Sequence, residues 1–299
     1  MKIRKGVITA LVAAGALAFT AQACAQSADQ VPAPTVPRAA PPGPQDPYAG
    51  RKKLLVLADV QTGFHHDSIN RAMGAIEQLG RESGLWVTFL RTDSQLITRE
   101  PIVGQGSRYE GRRVNARNLN EFDAIFFLGS GEGALTDAQK ADLLAFVHED
   151  GKGFIGGHAS TIGYYDWPEF GEMLGGVMAG EYRVAPHGLI AEDPDFPGVA
   201  QFPATFADQY QYLDTTYEPG SVHTILRLDP ETLTPEQRAM RPDGDLPVVW
   251  ARNYGKGRVY VSTFGHLDGP WDDPAVQRLY LEGIKWALGL TDAEISHNP

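Results

Sequence analysis

"GKGFIGGHAST" (residues 151–161) reads as a short apolar strand, GFIGG, running into a tight turn with His158 at its apex. A strand apolar on both faces and closed by a polar corner belongs to a sheet covered by helices on either side. Just before it, LTDAQKADLLAFVHEDGKG supplies a helix: Thr136 and Gln139 have the spacing of a capping box, and Gly151 can end the helix in a left-handed conformation. FDAIFFLGSGEG, upstream again, is strand into glycine turn. KKLLVLADV (52–60) is the first such strand, and DSINRAMGAIEQLGRES (67–83) spaces Ile69, Ala72, Met73, Ile76 and Leu79 helically behind Asp67 as N-cap. With LWVTFLRT (85–92) as the next strand, the order strand, helix, strand, strand, helix, strand predicts a doubly wound α/β fold with a mostly parallel sheet.

Downstream the pattern changes. Residues 177–245 read as strands and loops, and LPVVWARNYGKGRVYVSTFGH (246–266) shows two β runs around NYGKG, a C-terminal hairpin. DDPAVQRLYLEGIKWALGL closes the fold as a helix capped by Asp273, with Pro274 in its first turn. The polar stretch 93–121 has no clear period and predicts a loop with a short helix at the edge of the sheet.

The first 25 residues stand apart. MKIRK precedes the apolar run GVITALVAAGALAFT, which ends in the small residues AQACA, the pattern of a secretory signal. Residues 26–50, rich in Pro and Ala, read as an extended linker, 51–290 as the α/β domain and 291–299 as a tail. A periplasmic or secreted protein is therefore expected, with no transmembrane anchor. Cys24, the single cysteine, is the candidate for a lipid anchor, although Ala21 stands where a bacterial lipobox has Leu. The net charge of −11, or −14 without Lys2, Arg4 and Lys5, argues against nucleic acid as a partner.

In open α/β sheets ligands bind beyond the carboxyl ends of the strands. His66, following His65 and the first strand, His158 and His266 all fall at that edge, and Glu132 follows the strand at 124–128. His148, in the last turn of a helix, suits the dipole there and reads as structural, while His297 belongs to the tail. Two chemistries suit three converging imidazoles: ligation of a divalent metal such as zinc, or general acid/base work near neutral pH. Trp167 and Trp271, in loops after His158 and His266, together with Tyr164 and Tyr165, are candidate faces for stacking a sugar ring. Trp250 and Trp286 fall within strand and helix patterns and read as core.

FHHDSI, GEGALTDAQKADLLAFVHEDGKGFIGGHAS, WPEFGEMLGG, PVVWARNYGKGRVYVSTFGH and GIKWALG, taken in order over 52–290, resemble the ThuA-like, or trehalose-utilisation, domain. The resemblance implies a flavodoxin-like sheet, as in class I glutamine amidotransferases, and a role in the use of trehalose, glycosides or 3-keto sugars. It places His66 in an HDS block, His158 in a G-x-H block, His266 in the closing GH block and Glu132 in the GEG turn. It also implies that Asp208 and Tyr210 bind substrate, from a D-E-x-Y block written here Asp208-Gln209-Tyr210. Departures are Gln209 in that block, Glu181 where many members carry His, with His187 six residues on, and Phe196-Pro197 in place of HP.

A glutaminase is excluded because that chemistry needs a thiolate at the strand corner, and the folded region has no cysteine. Two readings follow: a carbohydrate-active enzyme (hydrolase, lyase or isomerase) using His158, His66, His266 and Glu132, or a non-catalytic sugar-binding domain.

Overall fold

Strand β1 (Lys52–Leu57) buries Leu54 and Val56 on one face, in a cluster with helix α1 (Ile69–Ser83) and helix α7 (Pro274–Ala287). Leu55 and Leu57 point the other way, into a cluster with α3 (Asp137–His148) and α4 (Pro168–Leu174). Both faces of the strand are dry, which is why its sequence is an unbroken apolar run. The same division holds in β3 (Ala124–Phe127), where Phe126 faces α7 and Phe127 faces α4. Burial of each such side chain contributes about 1.5–3 kcal/mol. These features are those of a computed structural model that describes residues 47–60, 63–112, 114, 117–214, 217–218 and 220–295. The expected secretory signal, most of the expected linker, Cys24 and His297 lie outside the described residues.

Nine strands form one sheet in the order β2-β1-β3-β4-β9-β8-β7-β5-β6, where β2 is Trp86–Arg91, β4 Gly153–Gly156, β5 Met178–Ala191, β6 Thr205–Leu213, β7 His223–Leu228, β8 Pro247–Tyr254 and β9 Gly257–Ser262. The five strands from β2 to β9 are parallel. The four pairings beyond β9 are antiparallel, so the sheet is mixed and the expectation of a mostly parallel one holds only for the part from β2 to β9. The reason lies in the connections. Helices α1 and α3 carry the chain over the faces of the sheet between parallel strands, whereas β8 and β9 are joined only by Gly255-Lys256, a turn that reverses the chain. Gly255 takes φ +55 there, a conformation that favours glycine.

Local signals in the helices are largely as expected. Thr136 and Gln139 form the capping box of α3, and Asp273 caps α7 with Pro274 behind it. Helix α1 differs: it begins at Ile69 with Ser68, not Asp67, at the N-cap position, and Ser68 makes no capping bond. Its hydroxyl is used elsewhere, donating to the carbonyl of Gly265 at 3.0 Å. Short helices α2 (Gly106–Tyr109), α5 (Pro235–Met240) and α6 (Asp268–Asp272) lie in the connections. The carboxyl ends of β1, β3, β4 and β9 share one edge, and the loops that leave it carry His66, Glu132, His158 and His266.

Candidate functional site

His158 opens the 3-10 turn that follows β4 and is 3% exposed. Its Nδ1 lies 2.6 Å from the carbonyl oxygen of Thr263, at the end of β9. A carbonyl can only accept, so Nδ1 carries the proton and Nε2 presents a lone pair. His266 Nδ1 sits 3.2 Å from that Nε2 and is therefore the donor between the two rings. The His66 ring stands edge-on to both, with centroids 5.0 Å from His158 and 5.2 Å from His266. His66 Nδ1 is buried without a hydrogen-bond partner.

Gly265 organises this corner. Its φ of +112 is a glycine conformation, and a Cβ there would meet the Trp271 ring at 2.5 Å. The Gly265 carbonyl accepts from Ser68 Oγ and from Trp271 Nε1 at 2.9 Å, while its N–H donates to Asp208 Oδ2 at 2.7 Å. The loop bearing His266 is thus tied to the loop bearing His66 and to β6. Asp208, almost wholly buried, also accepts from the Gln209 N–H at 2.8 Å. Burial pushes its carboxyl up to about 6 against the pull of these backbone hydrogen bonds.

The hairpin of β5 and β6 closes one side. Gln209 hydrogen-bonds the His158 ring, and Gln211, two residues on, accepts from Thr161 Oγ1. Glu181 pairs with Gln211 across the hairpin, which puts its side chain on the same face, and its carboxylate raises the proton affinity of His266. In the sequence Gln209 and Glu181 stood out only as departures from the family's blocks, and Thr263 did not stand out at all. For Thr263 the working group is a backbone carbonyl, which no residue type announces.

Burial lowers all three imidazoles. His158 falls to about 3, with its positively charging neighbours His66 and His266 adding to the burial and the Thr263 carbonyl opposing it. His66 falls to about 4 through burial first and then His266 and His65, and His266 is lowered by burial against Glu181. At neutral pH the three rings are uncharged and offer lone pairs.

The cluster fits a metal ion. The three ligand atoms lie within 4.8 Å of one another. Tetrahedral coordination at about 2.0–2.1 Å sets neighbouring nitrogens roughly 3.4 Å apart. The spacing of 3.2 Å between His158 Nε2 and His266 Nδ1 already matches once His266 moves its proton from Nδ1 to Nε2, and the buried unpartnered Nδ1 of His66 is the polar atom such an ion would satisfy. The Nδ1–H to carbonyl bond of His158 is the outer support that ligating histidines use to fix their tautomer.

Other sequence candidates lie elsewhere. Glu132 is exposed and accepts from the Asp166 N–H at 3.2 Å, tying the loop after β3 to the loop after β4. Trp271 is stacked on Tyr280 at 4.7 Å, and Trp167 is stacked on Phe170 at 5.5 Å. Tyr164 is stacked on Phe127, with an unusual φ of +48, and Tyr210 is buried with its hydroxyl on the Phe206 carbonyl. Trp271, Trp167 and Tyr164, expected as platforms for a sugar ring, are buried with their faces against neighbouring rings. Tyr165 is 48% exposed, but its hydroxyl is tied to the Met178 carbonyl at the far side of the 158–162 turn. Trp250 and Trp286 are core, as expected.

Comparison with curated proteins gave no match. Among solved structures, the chain is similar to a putative ThuA-like protein from Bacteroides uniformis (21% identity, TM-score 0.59, covering 82% of this chain and 94% of that one). A second, from Parabacteroides merdae, aligns at 17% identity and TM-score 0.56 over 83% and 92% of the two chains. At these identities the likeness is one of fold. The sequence itself matches the family model described as ThuA, trehalose utilisation, over residues 53–287, and on that match the chain belongs to the ThuA family.

Proposed function

We propose that the protein is an exported enzyme of carbohydrate utilisation that binds a divalent metal such as zinc through His66, His158 and His266 and acts there on trehalose, a glycoside or a 3-keto sugar. The observation that carries this reading is the convergence of three uncharged imidazoles from three separate loops. A general base works best with a pKa near the working pH. His158 and His66, held near 3 and 4, are far from neutrality. That favours ligand over base, the two roles open to a strand-end histidine. When bound, such an ion polarises a sugar oxygen as a Lewis acid.

The chain's own groups have separate tasks. The Thr263 carbonyl holds the proton of His158 on Nδ1 and so keeps Nε2 free. Asp208, through Gly265, sets the position of His266. Gln209 offers an amide to a sugar hydroxyl beside His158, and Glu181 is the carboxylate on the open side of His266, able to accept a proton there. Elemental analysis of gently purified protein is expected to find about one equivalent of metal, and His158→Ala to lose it. Turnover in a panel of disaccharides and their 3-keto forms, absent in His158→Ala, would complete the test. Binding of sugar with no turnover and no metal would instead favour the non-catalytic reading.

A further inference from the structure

We infer that Phe64 is the surface on which the substrate's sugar ring stacks, an inference that rests on the carbohydrate reading of the imidazole cluster. Phe64 is 68% exposed, the highest value among the large apolar side chains described. Leaving so large an apolar ring in water is unfavourable for the folded chain. Its position is not that of a stray surface residue. The ring meets His66 edge-on with centroids 4.8 Å apart, so it borders the cluster directly.

The backbone beneath it is fixed. Ser130 Oγ donates to the Phe64 carbonyl, and the main chain at Gly63 passes so close to Ser130 that a Cβ would lie 2.1 Å from the Ser130 oxygen. On the other side the His66 carbonyl accepts from the Ile69 N–H as α1 begins. The ring is thus presented to solvent from a clamped loop, and a ligand that covers it orders little that is not already ordered. Leu267, next to His266, is also 49% exposed. Two loops of the cluster thus each carry an exposed apolar side chain next to or near an imidazole, while the β5–β6 hairpin carries Glu181 and Gln209. A pyranose has the same division: a C–H face that packs on an aromatic ring and an equatorial rim of hydroxyls.

The test is calorimetric titration of the metal-loaded full chain with trehalose, sucrose, maltose and lactose, followed by Phe64→Ala, Phe64→Leu and Phe64→Trp. The expected result is at least a tenfold rise in Kd of the best ligand for Phe64→Ala, a smaller rise for Phe64→Leu and near-retention for Phe64→Trp, with metal content unchanged in all three. An unchanged Kd in Phe64→Ala, or a loss in Phe64→Trp as large as in Phe64→Ala, would overturn the inference while leaving the sugar reading intact. If none of the four sugars binds the wild-type chain, the carbohydrate reading fails and the inference with it.

Discussion

At the scale of single residues, the site is defended by burial. His158 is neutral in the fold with a pKa near 3 and ordinary in the unfolded chain, so the unfolded state binds the extra proton first. The stability this histidine contributes is fully present above its unfolded value of about 6.5 and is lost as pH falls toward 3. In metal-free protein, unfolding free energy measured by urea between pH 6 and pH 4 should therefore fall more steeply for wild type than for His158→Gln, by about 1.4 kcal/mol per pH unit. Equal slopes would show that the ring is not held neutral. Asp208, raised to about 6, works in the opposite sense, favouring the fold as pH falls, but is common to both proteins and cancels in the difference. Gly265 gives a second prediction. Alanine there combines a positive φ with a collision against Trp271, and should cost about 2 kcal/mol or more in urea unfolding while also reducing metal uptake, because His266 is the next residue. A stable Gly265→Ala that still takes up metal would mean that the loop relaxes freely.

Elements answer to different forces. The capping box of α3 is remote from the imidazoles, and Thr136→Ala should cost about 1 kcal/mol in urea unfolding with metal content and sugar binding unaltered. This helix start was legible because the device is local: two side chains and two backbone groups within four residues. So were the buried strands, whose apolar runs record dry surroundings on both faces, and the placing of three histidines at strand ends. What was not legible was pairing. The strands of 177–245 have patterns of their own, but nothing in them states that β7 joins β8, or that β6 turns Asp208 and Gln209 toward the cluster across some 50 residues of intervening sequence. The burial of the aromatic candidates was hidden for a related reason. Trp271 lies in α6, short enough to read as loop, and its exposure is decided by Tyr280 on another helix.

For the molecule as a whole, ligation joins loops that are far apart in the chain, so a bound ion stabilises the entire domain. At a free metal concentration one hundred times its Kd, linkage adds about 2.7 kcal/mol. For a domain of this size that is a rise in Tm of roughly 5–10 °C in a thermal melt with zinc, reversed by a chelator and absent in His66→Ala. No rise in wild type would contradict the metal reading. Among the described residues no helix is long and apolar enough to cross a membrane. The order of the sheet also has a consequence in time. Strand β9 lies in the middle, against β4, yet it is the last strand to be made, and the 100 residues 157–256 separate the two. A chain emerging from its amino terminus completes β1 to β4 early and then carries an unpaired strand edge until β9 arrives. Only with that late strand do Thr263 and His266 enter, so the nascent half-domain carries an open strand edge and lacks one of the three imidazoles. The three loops that bear the imidazoles can meet only once β9 has been translated and has joined the sheet against β4.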